Sequence, residues 1–516
     1  MPGIPANITI AGRIPATIKG NLPPLINTLA SARGGFRTGG DPVVPVVPDD
    51  PIDPVNPIAP SVWEARLAKT GSGTPDPTFD PSTDVTYIGA FRIPHFGNGV
   101  TSTTAKSAIA YKPPEAGGRN GPNGSLFFGG AGFKETFEGV DYPIGAVAEV
   151  QIPDFSTSTD YLQLPPTTVL QNFVNIYRRA PILGDLDTEK SSNSVGAITL
   201  VGNKAYFTMF EYYADSGADP NNLLICDDVR DLANSSYQGF LTKAQMDHGA
   251  KYTMQIPAEH QAGFNGATHL NGVFASLSII GRSSFGPALV SWTPSNIQPG
   301  DTTVPDVREA FYGSDPAHSI EGWDYQNEAV EFYYEAVLGV ASVKGYLNSD
   351  PSTRLTSFDG LPLPDPSIYA TSGTDTQIQC AFIPPGTNTV MLIGNHPGVR
   401  YGTGYKGYTI EEGTDRSASA GYYSFSKLDK SNFFWTLNLN DVKTSVNAYD
   451  PGLIQSGIFD SNRWQDLISG YRSTGVVISG TFDPILKRLY VVQANFIDSE
   501  YSDQHVVSVY QIGGGE

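Results

Sequence analysis

The chain has 516 residues, of which 40% are apolar and only 16% are charged, while Gly (55) and Pro (40) are both abundant. A formal net charge of −20 makes nucleic acid an unfavourable partner, because most of the surface would repel a phosphate backbone. No stretch approaches the roughly 18 consecutive apolar residues of a membrane-spanning helix, so we expect no membrane insertion.

Residues 1–40 are predicted to form an anchoring arm. They carry no Asp or Glu, and the pattern Ile-Pro-Ala-x-Ile occurs at 4–8 and again at 14–18. Such strands tolerate proline at a sheet edge, and the segment is too small to bury its own apolar side chains. We therefore expect it to dock on another protein. The anchoring residues would be Ile4, Ile8, Arg13, Ile14, Ile18, Lys19, Leu25, Arg33 and Arg37.

Residues 41–62 have the most regular pattern in the sequence, with a proline at every third position from Pro42 to Pro60. Polyproline II has three residues per turn, so this pattern predicts a semi-rigid spacer about 55–60 Å long. A disordered linker is the alternative. The Met-Pro-Gly start lacks the basic and apolar regions of a secretory signal peptide, so we expect synthesis in a cytoplasm without Sec export.

Residues 84–516 are predicted to form an all-β domain. The stretch 86–93 opens it, and groups of short apolar strands separated by turns then recur. The strands of these groups are predicted at 107–111, 124–130 and 146–152; at 196–200, 204–210 and 223–226; at 273–280 and 288–292; at 377–382, 389–394 and 421–425; and at 475–484, 487–493 and 506–512. This repetition is typical of a β-propeller, here of about five to seven blades with long loops. A β-sandwich pair is the main alternative.

Five phrases in this domain resemble proteins encoded by environmental tailed phages. They occur at 87–94, 147–153, 256–259, 281–288 and 401–404. The resemblance implies a propeller-like protein in a phage particle, and no catalytic residue is carried over by it.

Two segments stand out as candidate recognition loops. One, at 395–408, has the Tyr, Gly and Arg composition of binding loops and contributes His396, Arg400, Tyr401, Tyr405 and Tyr408. The other, at 315–325, combines carboxylates with Trp323. In a glycosidase such a loop could supply an acid and a sugar platform, whereas the simpler interpretation is a solvated loop with an anchoring Trp. The simpler interpretation of 395–408 is that its tyrosines pack to hold a long connection between strands of a blade in place.

The sequence shows no metal-ligand spacing, nucleophile elbow or phosphate loop, so neither a metal nor a cofactor is expected. Cys226 and Cys380 are interpreted as two buried thiols, although one long-range disulfide stays open.

Taken together, these features favour a non-enzymatic virion structural protein. Its arm would bind other virion proteins, and its propeller would decorate the capsid or tail, or adhere to a host surface glycan or protein, as a homo-oligomer within the particle. The alternatives are a cellular surface or filament subunit joined by arm exchange, and a particle-borne carbohydrate-active enzyme on the same fold.

Overall fold

The computed structural model divides the chain into two compact units, Met1–Asn56 and Pro57–Glu516. The structure describes residues 69–70, 74–93, 108–130, 135–137, 140–142, 145–179, 194–210, 221–242, 250–273, 288–311, 377–397, 403–404, 424–425, 430–444, 453–459, 475–494 and 505–513. The first unit, and with it the predicted arm and spacer up to residue 62, lies outside these described residues.

Twenty-five strands occur in the described ranges. The first twelve are β1 (Lys69–Thr70), β2 (Val85–Arg92), β3 (Ala108–Lys112), β4 (Ser125–Gly130), β5 (Glu135–Phe137), β6 (Val140–Tyr142), β7 (Ala146–Gln151), β8 (Thr168–Asn175), β9 (Ser194–Val201), β10 (Lys204–Phe210), β11 (Asn221–Cys226) and β12 (Tyr237–Thr242). The others are β13 (Tyr252–Gln255), β14 (His269–Val273), β15 (Ala288–Trp292), β16 (Arg308–Phe311), β17 (Gln377–Phe382), β18 (Thr389–Pro397), β19 (Thr403–Gly404), β20 (Ser424–Phe425), β21 (Lys430–Asn438), β22 (Leu453–Ile458), β23 (Val476–Asp483), β24 (Arg488–Ala494) and β25 (Val506–Ile512).

Helices are short in the described ranges. The α-helices are α1 (Pro81–Asp84), α2 (Ala258–Gln261) and α3 (Leu439–Thr444). Single 3-10 turns occur at Tyr161–Gln163, Tyr177–Arg179, Val229–Asp231, Ala262–Phe264 and Pro294–Asn296. None of the helices in these ranges has the length and apolar character that a membrane crossing requires.

Five antiparallel sheets form the blades of a propeller. From the innermost strand outward, blade 1 is β3-β4-β7-β8, blade 2 is β9-β10-β11-β12 and blade 3 is β13-β14-β15-β16. Blade 4 is β17-β18-β21-β22-β1, and blade 5 is β23-β24-β25-β2. The strand pairs β5-β6 and β19-β20 are separate two-stranded ribbons.

The innermost strands close these sheets into a ring. β3 contacts β9, β9 contacts β13, β13 contacts β17, β17 contacts β23, and β23 contacts β3 again. A closed ring of sheets leaves only short edges exposed, and in a sandwich the sheets would stack as two layers instead. The fold is therefore a five-bladed β-propeller, within the predicted range of blade number.

Blade 5 joins the two ends of the described domain. β2 is its outermost strand and pairs antiparallel with β25 from Val85 opposite Ile512 to Arg92 opposite Val506. The backbone of Ile93 then donates to the carbonyl of His505 at 3.1 Å. The ring is thus held shut by backbone hydrogen bonds between strands that are more than 400 residues apart in sequence.

The alternation of side-chain direction along the strands of blade 5 explains how this sheet packs against both neighbouring blades. In β24, Tyr490 and Val492 pack in one core cluster with Ile109 and Leu126 of blade 1. Their neighbours in sequence, Leu489 and Val491, pack in another cluster with side chains of blade 4, including Cys380 and Met391. Successive side chains of a strand point to opposite faces, so a strand that is covered by a neighbouring blade on each face is apolar at nearly every position. The apolar runs of the sequence are therefore the signature of sheets that are covered on both faces.

Glycine at position 480 allows two innermost strands to approach closely. A Cβ atom added there would lie 2.7 Å from both Cβ and Sγ of Cys380, across the gap between blades 5 and 4. Real Cβ atoms do not approach other atoms so closely, so any larger residue would push β23 and β17 apart.

Two of the predicted groups are wrong in detail. In the third group, the inner strand is β13, which the prediction missed. The strand predicted at 273–280 overlaps β14 at its first residue, and 274–280 lies outside the described residues. In the fourth, the third strand is β21, whereas Ser424–Phe425 forms the ribbon strand β20 with β19. The outer strands β8, β12, β16 and β22 were also missed, because their alternation is weak or short.

The prediction for the cysteines is confirmed as two buried thiols. Cys226 and Cys380 are both free and both buried. Burial raises the pKa of the Cys380 thiol to about 12, so at neutral pH this residue is a small apolar side chain of the ring.

Candidate functional site

All five innermost strands end at one cavity. Its lining residues fall within 110–113, 198–202, 253–259, 381–385 and 481–485, and His269 of β14 completes it. Each of these segments is the carboxyl end of an innermost strand or the turn after it, so the five strands run in the same direction towards this end of the ring. The cavity encloses about 540 Å³, within the range of small-molecule sites.

Proline follows the inner strand at several of these ends. Pro113, Pro257, Pro385 and Pro484 line the cavity. Proline has no backbone N–H to donate, so it cannot continue the hydrogen-bond ladder to the second strand of a blade at a position where that N–H is needed. The recurrence of a strand followed by proline marks the cavity mouth in the sequence, and this is the signal that the sequence analysis did not use.

The walls of the cavity are mostly apolar. Phe382 and Phe482, from blades 4 and 5, stack with ring centroids 4.8 Å apart and an angle of 26° between their planes. Met254 and Ile383 also line the cavity. The turn at the mouth carries Ile485, whose side chain is 76% exposed. A ligand entering the cavity would thus meet an apolar rim and an aromatic wall.

The polar centre of the cavity lies between blades 5 and 1. Asp483 and Tyr111 both line the cavity and are 1% and 8% exposed. Asp483 Oδ1 accepts a hydrogen bond from the backbone N–H of Ile485 at 2.9 Å. Asp483 Oδ2 and the Tyr111 hydroxyl are both buried from solvent, and the two side chains interact with each other. Burial, and then the charge of the Asp483 carboxylate, raise the pKa of Tyr111 above its ordinary value of 10.

The positive charge of Lys112, which lines the cavity, is neutralised by Glu115. Lys112 Nζ lies 2.6 Å from Glu115 Oε1 and 2.9 Å from Asn203 Oδ1. Glu115 also lies 3.3 Å from Arg119, which in turn binds the buried Glu149 at 2.7 Å. These charged side chains form a network that extends from the cavity to the boundary of blades 1 and 2. The network holds the turn after β3 in place. The lining also contains the carboxylates of Glu259 and Asp483, and Asp483 lies opposite Arg488 in the β23–β24 pair.

A second polar network ties blade 3 to blade 2. Thr253, a lining residue, donates to Asn271 Oδ1 at 2.8 Å, and Trp292 Nε1 donates to the same oxygen at 2.8 Å. Asn271 Nδ2 reaches Thr208 of blade 2 at 3.3 Å. Because these groups satisfy one another inside the ring, they fix the shape of the cavity wall.

None of the described residues that line this cavity was singled out by the sequence analysis. His396 falls in β18, where its backbone pairs with Ser431, so the start of the predicted loop 395–408 is strand. Arg400, Tyr401, Tyr405, Tyr408 and Trp323 lie outside the described residues, as do all the predicted anchoring residues of the arm. Among the described residues, no three His, Cys, Asp or Glu side chains are grouped as a metal ion would require.

Comparisons with known proteins add little to this geometry. No family model matches the chain, and no curated protein matches it. Among solved structures, the crystal structure of a member of the DUF4221 family from Bacteroides vulgatus ATCC 8482 is 8% identical, with a TM-score of 0.29. The match covers 84% of this chain and 99% of the other. The fold described above therefore rests on the sheet order and ring contacts of the chain itself.

Proposed function

We propose that this chain is a phage virion protein whose propeller recognises a ligand on a host surface. The observation that carries the recognition role is the cavity of about 540 Å³ into which all five innermost strands end. A mostly apolar pocket with a few convergent polar groups is the usual form of a small-molecule site. The role in a particle is supported by the resemblance of five sequence phrases and by the composition of residues 1–62.

In this proposal, residues 1–40 bind another virion protein and the prolines of 41–62 act as a spacer. The isoleucines of the arm could add strands to an exposed sheet edge of the partner. The acidic propeller would then face outward, as a tail or capsid decoration. Several copies would be carried on one particle.

Immunogold electron microscopy against the full chain tests the particle role. Cultures that express the chain should show label on capsids or tails. Label on cell-surface arrays or filaments would contradict this role and favour the filament alternative.

The arm can be tested in the same cultures. A variant with Ile4→Asp, Ile8→Asp, Ile14→Asp and Ile18→Asp should lose its association with particles. A matched control with Asn7→Asp and Thr17→Asp introduces charge between the isoleucines and should keep it. Equal association of both variants would contradict anchoring by the arm.

One observation favours the carbohydrate-active enzyme as a second candidate. Asp483 and Glu259 both line the cavity, and paired carboxylates are the usual machinery of glycoside hydrolysis. A glycan array with the full chain, followed by measurement of reducing ends released from each bound glycan, separates the two functions. Binding without release supports recognition. Release that Glu259→Gln abolishes would establish catalysis and overturn the non-enzymatic role.

A further inference from the structure

We propose that the cavity binds a neutral saccharide, with hydroxyl groups against Thr253, Gln255 and His269 of blade 3 and a C–H face against Phe482 and Ile485 of blade 5. This inference rests on the proposed recognition role and names the ligand class of the same site. Three features of the lining support it, namely its compensated charge, its polar wall and its apolar wall.

The buried charges of the lining have opposite charges beside them. Lys112 Nζ lies 2.6 Å from Glu115 Oε1, and Asp483 lies opposite Arg488 in the β23–β24 pair. Glu259, the other carboxylate of the lining, is exposed in the first turn of α2. An exposed charge is screened by solvent and gives a ligand little affinity. A charged ligand would therefore lose hydration in the cavity without gaining a buried partner, and a neutral ligand is favoured.

The polar wall is the end of blade 3. Thr253 and Gln255 are two residues apart in β13, so their side chains leave the same face of the strand. His269 lies directly opposite Gln255 in the β13–β14 pair, where Cβ atoms are about 4.5–5.5 Å apart. All three residues line the cavity, and Gln255 is exposed. An amide both donates and accepts hydrogen bonds, so the side chain of Gln255 suits sugar hydroxyls, which do the same.

The apolar wall lies across the ring. β23 is not next to β13 in the order of blades, yet the two strands are in contact. At the end of β23, Phe482 is half-buried and stacks on Phe382, and Ile485 in the following turn is 76% exposed. A pyranose ring has C–H groups on its faces and hydroxyls at its edge, so this wall can bury one face. A purely apolar ligand would instead leave the amide of Gln255 desolvated without a partner.

The turn that carries Ile485 is held in place before any ligand binds. Asp483 Oδ1 accepts the backbone N–H of Ile485 at 2.9 Å. Gln511 Nε2 donates to the carbonyls of Leu486 at 3.0 Å and Lys487 at 3.1 Å. A preformed turn lowers the entropy that binding would lose, so Ile485 is suited to contact a ligand.

Saturation-transfer difference NMR of the full chain tests this inference with pairs of methyl glycosides. The neutral members are the glycosides of glucose, galactose and N-acetylglucosamine, and their charged counterparts are the glucuronide, the galacturonide and the glucosaminide. We expect at least one neutral glycoside to bind at least about tenfold more tightly than its charged counterpart, because the charged group loses hydration. Equal binding within every pair, or binding of none of the neutral glycosides, would overturn the inference.

Two variants locate the site. Gln255→Ala removes the hydrogen-bonding amide and should weaken the bound glycoside about tenfold. Ile485→Ser removes apolar area from the opposite wall and should weaken it at least about threefold. The matched controls are Gln163→Ala and Leu162→Ser, which alter the same side-chain types at exposed positions outside the lining and should bind as the parent chain does. Unchanged binding in Gln255→Ala would contradict the saccharide site.

The outcomes separate this inference from the proposed function. If a host protein binds in the cavity and the neutral glycosides do not, the recognition role stands and the saccharide class falls. If a neutral glycoside binds and depends on Gln255, but immunogold label is absent from particles, the saccharide site stands and the virion role falls.

Discussion

The aromatic rings of Tyr111 and Tyr490 stack across the boundary of blades 1 and 5, with centroids 5.4 Å apart and planes 13° from parallel. Tyr111 is the penultimate residue of the inner strand of the first blade, and Tyr490 lies in the second strand of the last. Burial raises the pKa of Tyr490 to about 12. The stack therefore places two neutral aromatic side chains where the circle of blades meets the cavity, directly beside Asp483.

Closure of the ring through β2 can be tested at Phe91. This side chain is fully buried and stacks on Phe155 with centroids 6.2 Å apart. We expect Phe91→Ala to lower the free energy of unfolding by about 3–5 kcal/mol, through lost burial and the cavity left behind. Urea unfolding followed by far-UV circular dichroism measures the change. The control is Leu162→Ala, at a position that is 66% exposed, where a change within about 0.5 kcal/mol is expected. Similar losses in the two variants would contradict closure by a buried β2.

The buried carboxylate of Glu149 predicts a pH-dependent effect of its partner Arg119. Burial raises the pKa of Glu149 above its ordinary value of 4.5, and Arg119, whose side chain is 32% exposed, opposes that rise. Arg119→Met should therefore raise the pKa of Glu149 further in the folded state. A raised pKa gives stability that is complete below the unfolded value and is lost as pH rises through the folded value. The variant should thus lose more stability at pH 7 than at pH 4, by about 2 kcal/mol.

Urea unfolding at several pH values measures this difference, and Arg230→Met is the matched control. Arg230 pairs with the exposed Asp228 and holds the pKa of that carboxyl at about 2. A depressed pKa affects stability only at acidic pH, so the control should show a constant difference from the parent chain between pH 5 and 7. A flat profile for Arg119→Met over the same range would contradict the coupling of Arg119 to Glu149.

Close approach of the innermost strands predicts the effect of Gly480→Ala. The added Cβ would meet Cys380 at 2.7 Å, so the variant should be less stable by about 1–3 kcal/mol. Cys380→Ala in the same chain removes the Sγ contact and should relieve part of this loss. Urea unfolding of the two single variants and the double variant tests the coupling, which strict additivity would contradict.

Thiol reactivity tests the burial of both cysteines. Burial raises the pKa of Cys226 and brings that of Cys380 to about 12, so neither thiolate is populated at neutral pH. We expect no rapid reaction of the native chain with Ellman's reagent, and reaction of two thiols once the chain is unfolded in guanidinium. Rapid labelling of the native chain would show that the ring is open, and no labelling after unfolding would show a disulfide.

The blades could be predicted from the sequence wherever both faces of a strand are covered. Runs such as 487–493 and 506–512 are apolar at nearly every position, because each side chain serves one of two blade interfaces. The outermost strands gave weaker signals. β8 has only one buried residue, Phe173, and β1 is two residues long. Pairing between β2 and β25 depends on contacts between the two ends of the domain, which local patterns do not contain.

The candidate site was missed for a similar reason. Tyr111 and Asp483 are brought together by ring closure, and the backbone of Tyr111 contacts Thr481, which is 370 residues away, at 3.3 Å. Sequence reasoning looked for polar and aromatic residues close together in the chain, and so selected Trp323 and the segment 395–408. A search for prolines that follow apolar strands would have pointed to the end of the ring where this cavity lies.

The most direct test of the recognition role is a crystal structure of the full chain with the glycan that it binds most tightly on a glycan array. We expect ligand density in the cavity at the ends of the five innermost strands, against Phe382 and Phe482. Glycan density elsewhere on the propeller, with the cavity filled only by water at a saturating ligand concentration, would contradict this role.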